Sequence, residues 1–421
     1  MAIYLERVEI KDLKGITDLE LDFDLSGNSP PWTVILGDNA TCKTAALRAI
    51  ALALCDEASA TALMKESVEG YIRRGAKEAT IYLKFRRGLT GRKSYEVTTT
   101  VERVKRRNGS FERLRQKYGK GSKAFSHGEI FCCAYGAGRG TTGTADIPGY
   151  SSIDAVYNLF NYADGLQNPE LTYLRMATDR RGKFISILQE LTDTKKIRES
   201  EEGFKVSGAW GEGMPLRDLA DGYKSTFLWV ADLLGWAISF YGKLENKRGI
   251  QGIVLVDELG QHLHPKWQTK IVDRIRKAFP SIQFITTTHS PMVAASVGRD
   301  KNKRDGLYCL EAASSGRRIT SRRIDFLEGM RVDQMLASSA FDYMVTEDER
   351  NIDDVLRQAS RLASRQENLS SKEKRKFNAL RKKIAKAQFF LAETSVEREL
   401  QQKFIKFLQH EQQQLEAELF E

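Results

Sequence analysis

Apolar and polar positions alternate with period two across Tyr4–Ile10 and again across Leu19–Phe23, around a Lys11–Gly15 turn. That spacing predicts two strands, each with one buried and one wet face. Trp32–Leu36 is a continuous apolar run. It leads into a Gly-led loop and an Ala/Leu-rich helix from Thr44 to about Leu54. Strand, loop and helix in that order open a parallel α/β unit. From about 60 to 213 the signal is mixed, with β-like pieces at Ala79–Phe85, Tyr95–Val104 and Ile130–Tyr135 among Gly/Thr-rich loops. This stretch reads as an insertion or lid rather than as part of the central sheet. The α/β rhythm then returns: a long apolar helix over Gly222–Phe240, a buried strand at Gly252–Val256, an amphipathic helix over Pro265–Phe279 and a strand at Ile282–Thr287. Right-handed crossovers make that order a doubly wound, mostly parallel sheet. Beyond about Asp325, Phe377, Leu380, Ile384 and Leu391, then Leu400, Phe404 and Leu408, stand near helical spacing. They predict a helical hairpin with Thr394 or Ser395 as a cap.

Charge changes the picture more than composition does. The net charge is +10, yet Lys84–Lys123 alone holds fourteen Lys/Arg against three Glu. A second basic run, Lys372–Lys386, carries eight basic residues and one Glu. Concentrated cations suit a polyanion, nucleic acid first, and equally suit a solvated, charge-rich insertion. No run of about 18 apolar residues predicts a membrane span, and the first residues do not read as a signal peptide. Five scattered cysteines (42, 55, 132, 133 and 309) lack metal-ligand spacing, which fits a reduced, cytoplasmic setting.

The chemistry-bearing segment is Gly37-Asp38-Asn39-Ala40-Thr41-Cys42-Lys43-Thr44. A phosphate loop needs inward backbone N–H groups at a helix start, a Lys for the β/γ-phosphates and a hydroxyl for Mg²⁺. Gly37, Lys43 and Thr44 stand at those positions; Cys42 departs from the usual Gly. Ile253–Val256 runs into Asp257 and Glu258, a strand-end carboxylate pair. Asp257 suits Mg²⁺ and Glu258 suits orienting or deprotonating water. Thr286–Thr288 runs into His289, 31 residues after Glu258, placed to sense a γ-phosphate. Leu219–Ser225 opens the long helix, with Gly222 35 residues before Asp257. Four motifs in this order make chance co-occurrence a poor explanation.

The chain resembles a stand-alone ABC ATPase of the SMC/RecF/OLD-like group. Within it, the chain is most similar to ATPase subunits of Septu-type and retron-linked anti-phage systems. The residues that carry the resemblance are Gly37–Thr44, Tyr135–Arg139, Leu166–Glu170, Leu219–Ser225 and Asp257–Pro265. The resemblance implies ATP and Mg²⁺ sandwiched between two heads, in a homodimer or higher oligomer. Asp221, Gly222 and Tyr223 would meet the γ-phosphate of the opposite subunit, and Leu263-His264-Pro265 would cross that interface. It further implies a separate effector, an HNH-type nuclease. Ala220 replaces the Ser expected beside Gly222, which together with Cys42 points to slow hydrolysis. Gln167 is a weak candidate for a Q-loop glutamine. Arg139 is read as a phosphate contact or an organiser of the lid, and Lys14 as an ordinary surface residue rather than one that approaches the nucleotide. His262 and His264 are read as loop residues rather than a metal pair.

The resulting expectation is an ABC-type P-loop head at 1–60 and 214–325, an inserted basic lid at 61–213, and a helical extension at 326–421. The function expected is that of an ATPase that senses or regulates a partner in anti-phage defence. Two alternatives remain: a RecF-like repair ATPase that binds DNA, and a non-hydrolysing, nucleotide-bound scaffold.

Overall fold

In the computed structural model, residues 3–324 are described except 66–69, 92, 107–108, 120–126, 141, 144–148, 162–164, 201–202, 243–248, 298–303 and 313–317. The predicted helical extension at 326–421, with its second basic run, lies outside the described residues. All described residues fall within one compact unit, Met1–Asp342.

Among the described residues, eleven strands form one sheet. In chain order these are β1 (Ile3–Leu13), β2 (Ile16–Asp22), β3 (Thr33–Gly37), β4 (Glu78–Arg87), β5 (Ser94–Arg106), β6 (Gly109–Tyr118) and β7 (Cys132–Tyr135). After a separate three-stranded sheet of β8 (Lys196–Ser200), β9 (Gly203–Gly208) and β10 (Gly211–Pro215) come β11 (Gly252–Val256), β12 (Ile282–Thr287), β13 (Gly306–Ala312) and β14 (Ile319–Arg323). The spatial order of the large sheet is β6-β5-β4-β1-β2-β14-β13-β3-β12-β11-β7. From β13 to β7 every neighbouring pair is parallel; β1, β2, β4, β5 and β6 pair antiparallel and form a wing.

The central strands are apolar throughout because both of their faces are covered. On β3, Val34 and Leu36 face one core and Ile35 the other; on β11, Val254 and Val256 oppose Ile253 and Leu255. One layer contains α1 (Lys43–Leu54), α2 (Glu57–Met64) and the inner face of the wing, joined by Val156 of α3 (Ser152–Tyr157). The other holds α5 (Thr178–Thr192), α6 (Asp221–Tyr241) and α8 (Ile271–Ala278). The remaining helices are short: α4 (Pro169–Arg175), α7 (Pro265–Gln268) and α9 (Pro291–Ala295).

Two expectations are corrected. Residues 61–213 do not stand apart from the sheet: β4, β5 and β6 extend the wing, and β7 pairs in parallel with β11. The sequence shows alternation but not which strand lies alongside. The helix expected over Pro265–Phe279 is split at Thr269–Lys270, just after Gln268, whose amide donates to the carbonyls of Gly260 and Leu263 and accepts from the Ser290 hydroxyl. That tether turns Trp267 onto Tyr223 while Val272 and Ile275 enter the core.

Candidate functional site

The phosphate loop, the acidic pair and His289 lie at the carboxyl ends of three adjacent parallel strands, β3, β11 and β12. Open α/β sheets bind ligands outside those ends. The loop turns tightly because Gly37 has φ 150, and a Cβ there would come within 2.5 Å of Thr41 Oγ1. Ala40 (φ 66) and Cys42 (φ 65) are left-handed without being glycine. Such backbone costs about 1–2 kcal/mol per residue and is retained mainly where a site needs it. Cys42 is the N-cap residue of α1 and makes no side-chain cap bond, so the helix start offers its first N–H groups outward.

Lys43 is almost fully buried and donates to the carbonyls of Gly37 (2.8 Å) and Asp38 (2.9 Å). Burial holds its ammonium below the usual lysine range, opposed by Glu258 and Asp257. Thr44 Oγ1 donates to Asp257 Oδ2 at 2.7 Å, and Thr287 Oγ1 donates to Asp257 Oδ1 at 2.5 Å. Glu258 Oε1 lies 2.9 Å from His289 Nε2 and 4.0 Å from Lys43 Nζ, while Nδ1 of the same ring is 3.5 Å from Lys43 Nζ. A neutral ring protonated on Nε2 satisfies both sides: it donates to the carboxylate and accepts from the ammonium. Burial raises the Glu258 carboxyl above the ordinary range, opposed by His289 and Lys43 and reinforced by Asp257. Five predicted residues, Lys43, Thr44, Asp257, Glu258 and His289, therefore converge.

The donor set fits a nucleotide with Mg²⁺. Thr44 Oγ1 and Asp257 Oδ2 are hard oxygens already within hydrogen-bond distance, at the loop that would hold the phosphates. Such an ion would neutralise phosphate charge there. No group of three or more His, Cys, Asp or Glu among the described residues is spaced as a metal centre. His264 instead caps α7, its Nδ1 accepting from the Lys266 N–H.

The start of α6 sits against the loop after β11. A Cβ on Gly222 would fall 2.4 Å from the His262 carbonyl oxygen, so only glycine permits this approach. Tyr223 packs edge-on between Trp210 and Trp267. Asp221 is exposed at the helix start, and Ala220, the N-cap residue, supplies no side-chain cap bond. Gln167 packs on α6 at Gly235 and has no hydrogen bond from Nε2. Lys14 lies over the Tyr71 ring, 5.2 Å from its centroid.

Three residues that matter here had little or no signal in the sequence. Thr287 holds Asp257 and accepts from the Glu258 N–H, visible only through the β11–β12 register. Arg139, weighed above as a phosphate or lid residue, is buried and donates to main-chain carbonyls of the acidic pair. Asp232, buried within α6, accepts from the Tyr135 hydroxyl at 2.8 Å and the Gln167 N–H at 2.9 Å. Burial pushes its carboxyl up to about 6, opposed by donation from Gln167, Tyr135 and Trp236. A folded-state value above the unfolded one of about 3.9 means that stability is lost as pH rises between them. Asp232→Asn cannot ionise. Its stability relative to the parent should shift in the variant's favour by roughly 1–3 kcal/mol from about pH 4 to about pH 7, read from denaturation midpoints.

Fold and site together define an α/β head in which a strand–loop–helix unit at 33–54 faces a strand-end acidic pair, an arrangement suited to holding a nucleotide. The chain is similar in sequence to Septu proteins and to probable ATPases of retrons. Two family models match it: "AAA domain, putative AbiEii toxin, Type IV TA system" over residues 158–295, and "AAA domain" over 7–204. The Septu protein PtuA of Bacillus mycoides is 28% identical over 301 residues, covering 69% of this chain and 38% of that protein. The Retron Vc95 probable ATPase of Vibrio cholerae is 31% identical over 187 residues, 37% of this chain and 36% of that protein. The chain thus spans little more than a third of the length of these relatives. Among solved structures, the SMC head domain from Thermotoga maritima aligns with TM-score 0.43 at 14% identity, over 77% of this chain and all of that one.

Proposed function

We propose that this head binds ATP with Mg²⁺ and hydrolyses it, and that its nucleotide state controls a partner effector in anti-phage defence. The observation that carries the reading is the meeting of Lys43 and Thr44 with Asp257, Glu258 and His289. In this scheme the loop amides (37–44) and Lys43 hold the β/γ-phosphates, and Thr44 and Asp257 hold the cation. Glu258 takes the proton of the attacking water, and His289 reports the γ-phosphate. Gly222, flanked by Asp221 and Tyr223, would complete the site of a second copy across an ATP-bridged dimer. The effector, by resemblance a nuclease of HNH type, would be a separate chain. The retained Glu258 supports turnover over a purely scaffolding role, although left-handed Cys42 and the hydroxyl-free Ala220 favour slow turnover.

A direct test of the site uses Cys42. It is the only half-exposed thiol among the described residues; Cys55, Cys132, Cys133 and Cys309 are buried. Iodoacetamide should alkylate Cys42 first, and MgATP should slow that reaction by roughly tenfold or more if phosphates occupy the loop at saturation. Peptide mass spectrometry reads the result; no protection by MgATP would count against the reading. Phage plating with the neighbouring genes, comparing parent and Glu258→Gln, tests the defence role.

Direct binding of nucleic acid by the Lys84–Lys123 stretch is less well supported. Lys84 and Arg86 both pair with Glu6, Arg87 with Glu129, and Arg113 and Arg115 with Glu102, while Arg103 stands 4.0 Å from Glu112. An open depression of about 450 Å³ on the outer wing face is lined by Arg7, Lys11 and Lys84 but also by Glu9 and Glu96. Mixed charge of this kind is a poor match to phosphates.

A further inference from the structure

Glu258 stands in an unusual backbone state. Its φ is 48, the left-handed region, which a long side chain enters only when its surroundings impose it. That turn redirects the chain as it leaves β11, and the side chain of the turned residue meets His289 and Lys43. Main-chain bonds hold part of the turn: the Leu259 N–H donates to the Thr287 carbonyl at 2.9 Å and the Gln261 N–H to the Glu258 carbonyl at 3.0 Å, and side chains complete it. The Glu258 N–H donates to Thr287 Oγ1 at 2.8 Å, and the Glu258 carbonyl accepts from Arg139 Nη2 at 2.7 Å. Arg139 Nη1 donates to the Asp257 carbonyl and, at 2.9 Å, to that of Gly136.

We infer that Arg139 is a positioning residue: its guanidinium clamps the carbonyls of Asp257 and Glu258 and so fixes the left-handed turn that aims the Glu258 carboxylate. It is not a phosphate ligand. The side chain is 2% exposed, and both terminal nitrogens are committed to main-chain carbonyls. Burying a cation among carbonyls is unfavourable unless the local field is negative, and the two carboxylates supply that field. The planar fork matters as much as the charge, because two nitrogens must reach consecutive carbonyls. The same clamp joins the acidic pair to Gly136, at the head of a Gly-rich loop whose Gly143 N–H donates to the Leu166 carbonyl. Gln167, the next residue, donates to Asp232 of α6. Bonds thus tie Glu258 through Arg139 to Gly136, and tie Gly143 of the same loop to Leu166, whose neighbour Gln167 bonds to α6.

The inference rests on the ATPase reading, so its test includes a readout that does not need turnover. Amide exchange is measured in the full chain for the parent, Arg139→Lys and Arg139→Gln. Exchange over 257–263 should accelerate by about tenfold or more in both variants, while the loop at 37–46 stays as in the parent. Binding of a fluorescent ATP analogue should stay within about threefold and kcat should fall by roughly 100-fold, with Arg139→Lys no better than Arg139→Gln. Exchange unchanged over 257–263, or raised evenly along the chain, overturns the clamp. A tenfold or greater loss of nucleotide affinity with unchanged exchange makes Arg139 a phosphate contact instead. If the parent binds ATP without hydrolysing it while exchange rises only over 257–263, the clamp stands and the proposed turnover falls.

Discussion

Glu258→Gln is expected to cut ATP turnover by roughly 100- to 1,000-fold while leaving ATP binding intact. The amide is nearly isosteric, and its oxygen can still accept from His289 Nε2, now 2.9 Å from Glu258 Oε1. What it cannot do is take a proton from water. The pH profile separates this from general damage. Burial holds the Glu258 carboxyl above the ordinary range, with His289 and Lys43 pulling the other way. The base works only when ionised, so parent turnover should rise with pH through that elevated value. The variant should lack this limb. Steady-state phosphate release across pH, beside nucleotide binding on the same preparations, gives both answers. Equal and negligible release in parent and variant would favour the scaffold alternative.

Much of this site can be read from the chain because central parallel strands are apolar on both faces. Gly252–Val256 and Ile282–Thr287 are found at their expected limits, and each ends where its chemistry begins. Gly37, Lys43 and Thr44 announce themselves by residue type and by their place between strand and helix. What the chain does not show is partnership. The wing strands have one wet face, and alternation marks such a strand without naming its neighbour. Hence β4, β5 and β6 look like an insertion, although they continue the sheet. The strands β13 and β14 escape notice beside a Lys/Arg-rich stretch, yet β13 pairs directly with β3 and closes that side of the phosphate loop. Thr287 carries no motif; its role exists because parallel register sets Thr286 beside Val256, leaving the next hydroxyl opposite the acidic pair. Arg139 has the type of a phosphate ligand, and only the path of its loop shows that it faces carbonyls.

Lys43→Ala should remove the other half of the reaction, binding itself. The Lys43 ammonium is tied to the Gly37 and Asp38 carbonyls and stands between His289 and Glu258. It occupies the mouth of the loop where β/γ-phosphates would lie, so a nucleotide exchanges carbonyl acceptors for charged ones. A charge-assisted bond of this kind is worth about 1.5–3 kcal/mol, or roughly 10- to 150-fold in affinity. Truncation also strips the cation that opposes repulsion between Asp257 and Glu258, so incoming phosphates would meet two uncompensated carboxylates. That second effect places the expected loss near the upper end of the range. Folding should suffer less, because burial already disfavours the charged ammonium. Thermal melts with and without MgATP make the distinction. The parent should rise by roughly 3–8 °C at saturating nucleotide, and Lys43→Ala should melt near the unliganded parent and not respond. An undiminished nucleotide response in the variant would mean that the loop at 37–44 is not the phosphate site.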